Sequence, residues 1–331
     1  MPLIEVEDLR VRLNTSRGPA DAIRGVSFSL ERGETLGLIG ESGCGKSLTA
    51  MALMGLLPDS AVVSGSIRLD GKELVGLAEP EFCKLRGNRI SMIFQEPMTA
   101  LNPLHTIGAQ VAEPLRQHKG CSPAEARRQT IALLDRVGLP DAARRFDAYP
   151  HQFSGGQRQR VTIAMALACQ PDVLIADEPT TALDVTIQRQ ILDLIADLVE
   201  ERNMSMILIS HDLGVIAENV QRMMVMYGGT VVENGATDTV FAEMGHPYSQ
   251  GLFGARPRLG APRGTRLQTI AGTVPELADM PAGCAFVDRC AIAEGRCRDT
   301  LPPPVLVNAH HTVRCLRTDV AMANRIEAMH P

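Results

Sequence analysis

The eight residues from Gly40 to Ser47, GESGCGKS, have the types and the spacing needed to bind phosphate. They fit the pattern G-x-x-x-x-G-K-[ST] and lie between an apolar, strand-like run and a helical run, which is the context that the pattern requires. Gly43 and Gly45 permit a tight turn whose backbone N–H groups point at a β-phosphate, and the following helix presents its positive end to the same anion. Lys46 is predicted to reach the β- and γ-phosphates, and the Ser47 hydroxyl is predicted to ligate Mg²⁺. The predicted phosphate-binding set is Gly40, Glu41, Ser42, Gly43, Cys44, Gly45, Lys46, Ser47 and Leu48.

Four polar residues follow apolar runs that predict buried strands. Asp177 and Glu178 follow VLIA, Gln95 follows MIF, and His211 follows ILIS. Asp177 is predicted to join the magnesium shell through water. Glu178 is predicted to orient and deprotonate an attacking water, an effect of about 10²–10⁴-fold on rate. Adjacent acids at a strand end are also common as solvated turn residues, and a lone histidine is more often a core or surface residue. The phosphate loop upstream is what favours catalysis.

A second glycine-rich stretch, FSGGQRQRV, occupies residues Phe153 to Val161. A serine hydroxyl, glycine N–H groups and the start of a helix all suit an anion. Because the first stretch already suffices to hold a nucleotide, the chain has one more phosphate-binding element than one site needs.

Alternating and apolar runs separated by helical patterns predict an α/β fold with a mainly parallel sheet. From about Glu79 to Leu139 the pattern is helical and is interrupted by prolines, which predicts a helical insertion at about 96–165. The prolines in question are Pro97, Pro103, Pro114 and Pro123. The run TIQRQILDLIADLVEERN predicts a helix that stops near Asn203. The character changes after about Gly235, so we predict a nucleotide-binding domain over 1–235 and a smaller extension over 236–331.

The composition limits the function classes. The net charge of −5 argues against a dedicated nucleic-acid binder, and 45% hydrophobic with 21% charged residues is ordinary for a globular protein. No apolar run reaches the roughly 20 residues that span a bilayer, and the acidic N-terminus does not have the pattern of a signal peptide. We therefore expect a cytoplasmic protein that reaches a membrane only through another chain. In a reducing compartment the 8 cysteines are not expected to form disulfides.

The ordered motifs GESGCGKS, FQEP, FSGGQRQR, VLIADEP, TALD and SHD resemble those of the ATP-binding subunits of ABC transporters. The resemblance implies a P-loop ATPase in which two subunits sandwich ATP and Mg²⁺ head to tail. The second glycine-rich stretch would then close over the partner's γ-phosphate, and Asp184 in TALD would lie at the same seam. Gln95 would contact Mg²⁺ or the attacking water, and His211 would contact the γ-phosphate. The predicted contacts to the partner's nucleotide are Ser154, Gly155, Gly156 and Gln157.

One position departs from the family. Members of it place an aromatic side chain near the end of the first strand, where it stacks on adenine, and this sequence has Leu13 there. Base stacking contributes about 1–3 kcal/mol per base in nucleic-acid systems. We therefore expect weaker nucleotide affinity or selectivity, with the phosphate and magnesium contacts dominating.

Two longer stretches resemble the ATPases of the oligopeptide/dipeptide importer group, FQEPMTALNPLHTIGAQVAEPL and the C-terminal GHPYSQGLFGARP. The resemblance implies an ATPase at the cytoplasmic face of the inner membrane that drives uptake of peptides. Its implied partners are two transmembrane permease subunits, a second ATPase of the same family, and indirectly a solute-binding protein. The second ATPase would be a different homologous chain or another copy of this one. Related transporters of nickel, glutathione or antimicrobial peptides share the pattern, so the solute stays open. ABC-type ATPases of DNA repair or translation are a remote alternative, disfavoured by a single cassette and an acidic balance.

Four cysteines crowd the C-terminal region with the spacing C-x₅-C-x₆-C followed by a more distant fourth; they are Cys284, Cys290, Cys297 and Cys315. Four thiolates can hold zinc or an iron–sulfur cluster, although the spacing is wider than in common zinc knuckles. The family resemblance implies a 4Fe–4S cluster, with zinc or no metal as alternatives. The family has proline after the second cysteine, where this chain has Ala291. A structural role is favoured over redox or iron sensing, because the segment has little apolar material for a core of its own.

Overall fold

The computed structural model describes residues 1–181, 183–255 and 269–329, and within them two β-sheets are covered by helices. The strands are β1 (Ile4–Thr15), β2 (Gly18–Leu30), β3 (Thr35–Ile39), β4 (Val62–Leu69), β5 (Lys72–Glu73), β6 (Ile90–Ile93), β7 (Val173–Asp177), β8 (Ser205–Ser210), β9 (Arg222–Tyr227), β10 (Thr230–Ala236), β11 (Val305–Asn308) and β12 (His311–Val313). The helices are α1 (Lys46–Met54), α2 (Glu79–Leu85), α3 (Pro97–Ala100), α4 (Ile107–Lys119), α5 (Pro123–Arg136), α6 (Ala142–Arg145), α7 (Gly155–Leu167), α8 (Val185–Glu201), α9 (Leu213–Asn219), α10 (Thr237–Glu243), α11 (Pro247–Gly254), α12 (Arg296–Asp299) and α13 (Thr318–Met329). Short 3-10 turns lie at Pro150–Gln152, Leu277–Asp279 and Val287–Arg289.

The larger sheet has the strand order β11-β12-β10-β9-β3-β8-β7-β6. Strands β9, β3, β8, β7 and β6 are parallel, while β10, β12 and β11 are added antiparallel at one side. The smaller sheet is antiparallel with the order β2-β1-β4-β5. The predicted α/β class is therefore confirmed, but the sheets are mixed: a parallel centre of five strands is extended by antiparallel strands, and the second sheet is antiparallel throughout. Because β3, β8, β7 and β6 are parallel neighbours, the segments that follow them meet at one edge of the sheet, where ligands bind in such folds.

Two hydrophobic cores lie on opposite faces of the parallel sheet. Successive residues of β7 alternate between them: Leu174 and Ala176 pack in the core on the side of α4, α7 and α8, and Val173 and Ile175 pack in the core shared with α1 and the smaller sheet. This period of two is expected of a strand buried on both faces.

The region between β6 and β7 is helical, from α3 to α7. Pro97 and Pro123 begin helices, as the sequence suggested, but Pro114 lies inside α4. The expectation that Pro114 breaks the helix was therefore wrong. A proline inside a helix removes one hydrogen bond, and here Val111 and Leu115 on either side are buried in the core, so packing outweighs that loss. The strand predicted before Gln95 is present as β6, within the stretch from 79 to 139 that was otherwise predicted to be helical.

The segment after residue 235 joins the larger sheet. Strand β12 pairs antiparallel with β10, with His311 opposite Gly235 and Val313 opposite Glu233. His311 is fully buried, and its two ring nitrogens each lie 2.8 Å from a carboxylate oxygen, of Glu233 and of Glu243. Burial opposes the charged form, but hydrogen bonds from the ring to both carboxylates raise the pKa of His311. The extension is thus attached to the sheet by a short strand and a buried charged contact.

Candidate functional site

The phosphate loop connects β3 to α1, and its glycines have the conformations that the sequence predicted. Gly43 has a φ of 78° and Gly45 a φ of 106°, in the left-handed region that favours glycine. A Cβ at Gly45 would also lie 2.6 Å from Cδ1 of Ile23 in β2. The loop can therefore take this path only with glycine at position 45.

Lys46 is buried at the start of α1 and lies over the loop. Its Nζ donates hydrogen bonds to the carbonyl oxygens of Gly40 at 2.8 Å and Glu41 at 3.2 Å. Behind it, burial raises the pKa of the Cys44 thiol, which keeps it neutral. The ammonium is thus held where the backbone turns, which suits a group that is to receive phosphate.

A cavity of about 270 Å³ opens over the loop, close to the lower end of the range usual for small-molecule sites. It is lined by Leu13, Ala22, Ser42, Gly43, Gly45, Lys46, Ser47, Leu48, Gln95, Glu178 and Leu277. Of the predicted loop contacts, Gly40, Glu41 and Cys44 are not part of this lining. Cys44 is instead buried in the hydrophobic core, and the carbonyl oxygens of Gly40 and Glu41 accept hydrogen bonds from Lys46.

The predicted magnesium ligands of the phosphate loop and of β7 are in contact. The Ser47 hydroxyl donates to Oδ1 of Asp177 at 3.1 Å. Asp177 is buried, and burial raises the pKa of its carboxyl against the opposing effect of the Ser47 hydrogen bond. A hydroxyl beside a buried carboxylate is a donor set that Mg²⁺ accepts, because hard cations prefer oxygen ligands.

The three residues predicted to act in catalysis meet at one oxygen atom. Gln95 donates to Oε2 of Glu178 at 3.1 Å, and Nδ1 of His211 lies 3.2 Å from the same atom. Thr181, which sequence reasoning missed, donates to it as well, at 3.0 Å. Glu178 has a φ of 46°, a conformation that a non-glycine residue adopts only when its surroundings impose it. The carboxylate is therefore held between strand ends at the edge of the nucleotide cavity.

The second glycine-rich stretch lies at the start of α7, away from the cavity over the chain's own phosphate loop. Ser154 caps the helix: its Oγ accepts from the N–H of Gln157, and the Gln157 side chain accepts from the N–H of Ser154. None of residues 154–157 is among the residues that line that cavity. Ser154 and Gly155 are exposed to solvent.

Asp184 lies close to this stretch in the fold. Its carboxylate caps α8 by accepting from the N–H of Ile187 at 3.0 Å. A Cβ at Gly156 would lie 2.9 Å from Cγ2 of the same Ile187, so α7 and α8 begin side by side. The predicted trans contacts and Asp184 therefore lie on one exposed surface. Within its own chain, Asp184 caps helix α8.

Two residues of the extension reach the phosphate loop, and no sequence motif pointed to them. Arg289 donates to both carboxylate oxygens of Glu41, at 2.6 and 3.1 Å. The hydroxyl of buried Tyr248 accepts from the backbone N–H of Glu41 at 2.8 Å. Glu41 therefore faces the extension, which explains why it does not line the nucleotide cavity.

The four predicted cysteine ligands lie around one small cavity of about 20 Å³. Burial, followed by the other three thiols, raises the pKa of Cys284 to about 11. Burial also raises the pKa values of Cys290 and Cys315. Within residues 1–181, 183–255 and 269–329, however, no three His, Cys, Asp or Glu side chains have the arrangement of a metal-ligand group. The fold gathers the thiols without setting them at ligand spacing.

Two buried donors, one of them on a residue that lines this cavity, have no partner among the described residues. One is Nε2 of His246, a residue that lines the cavity; its Nδ1 accepts from the N–H of Tyr248, which puts the ring proton on Nε2. The other is Nη1 of Arg24, whose charge interacts with Cys284. Buried donors without acceptors are rare in folded proteins. Four thiols, a buried imidazole N–H and a guanidinium together fit an anionic sulfur-rich group.

A phosphate loop at the carboxyl edge of a parallel sheet, with Glu178, Gln95 and His211 converging beside it, defines an ATP-binding cassette. The family model for "ABC transporter" matches residues 23–181, and the model for "Oligopeptide/dipeptide transporter, C-terminal region" matches residues 232–297. The chain belongs to the ATP-binding subunits of ABC transporters, and it is an ATPase of that class. The resemblance inferred from the six motifs is confirmed.

Individual relatives agree with this assignment. The chain is 50% identical to a putative peptide import ATP-binding protein of Brucella abortus, over 96% of this chain and 97% of that protein. It is 48% identical to the dipeptide transport ATP-binding protein DppD of Bacillus subtilis, over 96% and 95%. Among solved structures it resembles a dimeric ATP-binding cassette in a post-hydrolysis state with ADP and Pi, with a TM-score of 0.63 at 28% identity, over 71% of this chain and 98% of that one.

Proposed function

We propose that this chain hydrolyses ATP to drive the import of peptides through a separate membrane permease. The observation that carries the catalytic part is the convergence of Gln95, Thr181 and His211 on one oxygen of Glu178 beside the phosphate loop. The solute class is supported by relatives at 48–50% identity that are named for peptide or dipeptide import. We assign the ATPase to residues 1–235 and a distinct extension to 236–331.

The geometry supports a different role in ATP hydrolysis for each group of site residues. Lys46 and the N–H groups of the loop bind the β- and γ-phosphates, and Ser47 with Asp177 would hold Mg²⁺, which neutralises phosphate charge during transfer. Glu178 accepts a proton from the attacking water, because its carboxylate borders the cavity at the end where Gln95 also lies. His211 and Gln95 fix the position of that carboxylate and contact the γ-phosphate and the water.

A second copy of such a cassette would complete the site. Ser154, Gly155, Gly156 and Gln157 form the exposed beginning of a 13-residue helix, and a helix N-terminus with free N–H groups attracts phosphate. Because these residues do not line their own chain's cavity, we assign them to the γ-phosphate of a partner ATPase. Asp184 would lie at the same interface. The partner is a sister ATPase or a second copy of this chain.

The helical insertion supplies a surface suited to the permease subunits. Phe94, Leu104 and Tyr149 are large apolar side chains that are exposed in or next to it, and Phe94 directly precedes Gln95. Exposed apolar side chains of this size are candidate contacts for a partner chain when they lie together on one surface. No helix among the described residues is long and apolar enough to cross a membrane. We therefore propose peripheral binding of this insertion, about 96–165, to two permease subunits at the cytoplasmic face of the inner membrane, with a solute-binding protein acting from the other side.

We propose that Cys284, Cys290, Cys297 and Cys315 hold a 4Fe–4S cluster, with zinc as the competing metal. The support is the shared cavity and two unpartnered donors: Nε2 of His246, which lines that cavity, and Nη1 of Arg24, whose charge acts on Cys284. A bound cluster would link three segments of the extension and stabilise its fold, since metal binding energy is folding energy when the site forms only in the folded chain. The thiols must lose their protons to bind, so loading requires neutral to alkaline conditions.

The variant Glu178→Gln tests the proposed function in the assembled complex purified with its permease. It keeps the shape of the side chain and can still hold the Gln95 contact, but it cannot accept a proton. We expect ATP hydrolysis and peptide uptake into vesicles to fall by about 10²-fold or more while ATP binding remains. Glu200→Gln, at an exposed carboxylate near the end of α8 and outside the cavity, is the matched control. Hydrolysis at the wild-type rate in Glu178→Gln would remove Glu178 as the base, and purification without any membrane chain would contradict the transport role.

A further inference from the structure

A loop of the C-terminal extension lies beside the nucleotide cavity. Residues 276–282 contain the 3-10 turn Leu277–Asp279, and Leu277 is part of the cavity lining. The match to the ABC transporter family model ends at residue 181, so this contact comes from outside the matched part of the ATPase.

The lining of the cavity divides by chemistry. Ser42, Gly43, Gly45, Lys46 and Ser47 provide the phosphate-binding end, with Gln95 and Glu178 at the side of the γ-phosphate. The remaining lining residues are apolar. Leu48 directly follows the phosphate loop, and the other three are Leu13, Ala22 and Leu277. A triphosphate that occupies the loop leaves its base to contact these apolar side chains.

We propose that Leu277 and Leu13 together form the apolar contact for the nucleotide base, so that the C-terminal extension is part of the ATP site. The inference rests on the ATPase function proposed above. Leu13 stands where an aromatic residue was expected, and Leu277 supplies apolar surface that a lone aliphatic side chain lacks. Both side chains are partly buried, which leaves surface for a ligand to cover.

Three contacts fix the position of the loop that carries Leu277. Arg24 in β2 donates from Nη2 to the carbonyl oxygens of Pro281 at 2.7 Å and Ala282 at 3.3 Å. Met280 packs against the hydrophobic core. Arg17 forms two hydrogen bonds with the Asp279 carboxylate, at 2.6 and 2.7 Å. Since Arg17 and Asp279 are both about half exposed, their pair contributes little in water, and we assign the positioning mainly to Arg24 and Met280.

The test uses calorimetric titration of the full-length chain with MgATP and with magnesium tripolyphosphate, which has no base. Leu277→Ala is expected to weaken ATP binding about threefold to tenfold, less than for a fully buried leucine because the base would cover only part of this side chain, and to leave tripolyphosphate binding unchanged. Leu277→Tyr is expected to strengthen ATP binding by about fivefold or more, because an aromatic ring can stack on the base. A gain of affinity cannot come from misfolding, so this second variant keeps the test decisive.

Leu306→Ala is the matched control, since Leu306 is an exposed leucine of the same extension and should change neither titration. The proposal is overturned if both variants bind ATP as the wild type does, or if ATP and tripolyphosphate affinities change together. Failure of the wild-type chain to bind tripolyphosphate would instead contradict the phosphate site itself. The two failures are therefore distinguishable.

Discussion

Arg289 binds both carboxylate oxygens of Glu41, and this pair joins the cysteine-lined cavity to the phosphate loop. Glu41 is the second residue of the phosphate loop, and Arg289 directly precedes Cys290, one of the four cysteines around that cavity. The Arg289 side chain is 5% exposed and also donates to the hydroxyl of Tyr227 at 3.1 Å. A bidentate, mostly buried pair of this kind restricts both partners in orientation. The conformation of the loop is thus linked to the folding of the extension.

Arg289→Gln should loosen the phosphate loop as well as the extension. The change removes two charge-assisted hydrogen bonds, which are worth about 1.5–3 kcal/mol each to stability when charged groups are involved. We expect a lower midpoint of thermal unfolding and weaker ATP binding in the same protein. Arg298→Gln is the control, because Arg298 pairs with Asp288 in the same extension but both are exposed. A loss of stability with unchanged ATP affinity would mean that the pair only holds the extension in place.

The polar residues at the strand ends could be predicted from sequence, whereas the contacts of the extension could not. Asp177 and His211 follow apolar runs directly, so local pattern and parallel topology together bring them to one edge. Arg289 and Glu41 are 248 positions apart, and no sequence pattern containing either residue predicts contact with the other. Strand β12 is three residues long, too short for alternation to be read. Pro114 was misread because the burial of its helix, which decides its tolerance, is a tertiary property.

Ser154→Arg should damage the partner's ATP site more than the chain's own site. The added side chain would fill the space proposed for the partner's γ-phosphate, while the phosphate loop of the same chain is left intact. In the assembled complex we expect nucleotide trapping to fall at least about tenfold at the partner's phosphate loop, since loss of one close phosphate contact is worth 1.4 kcal/mol or more. Ser122→Arg is the matched control, because Ser122 likewise caps an insertion helix, accepting from the N–H of Glu125. Equal loss at both sites would contradict the trans assignment.

The contribution of His311 to stability should decrease as pH rises. Its pKa is raised in the folded chain by Glu233 and Glu243, against the effect of burial, so the charged imidazolium stabilises the docked strand β12. This contribution is fully present below the unfolded pKa of about 6.5 and is lost as pH rises through the higher folded pKa, by up to about 1.4 kcal/mol per pH unit. Chemical unfolding of wild type and His311→Gln should therefore differ more at pH 6 than at pH 9. His310→Gln, at the exposed neighbour, should show no such trend, and a constant difference for His311→Gln would rule out a charged His311.

His246 should tune the reduction potential of the cluster proposed for the four cysteines. Burial lowers the pKa of His246 to about 4, so the ring is neutral, and the hydrogen bond from the N–H of Tyr248 to Nδ1 leaves Nε2–H as the only ring donor. Donors to cluster sulfur stabilise the reduced, more negative state, so His246→Phe should retain iron and acid-labile sulfide but lower the reduction potential of anaerobically purified protein.

Cys290→Ser should lose iron and visible absorbance, while Cys83→Ser, at an exposed thiol, should lose neither. Zinc or no metal in the wild-type chain would refute the cluster itself, whereas an unchanged potential in His246→Phe would refute only the role of His246.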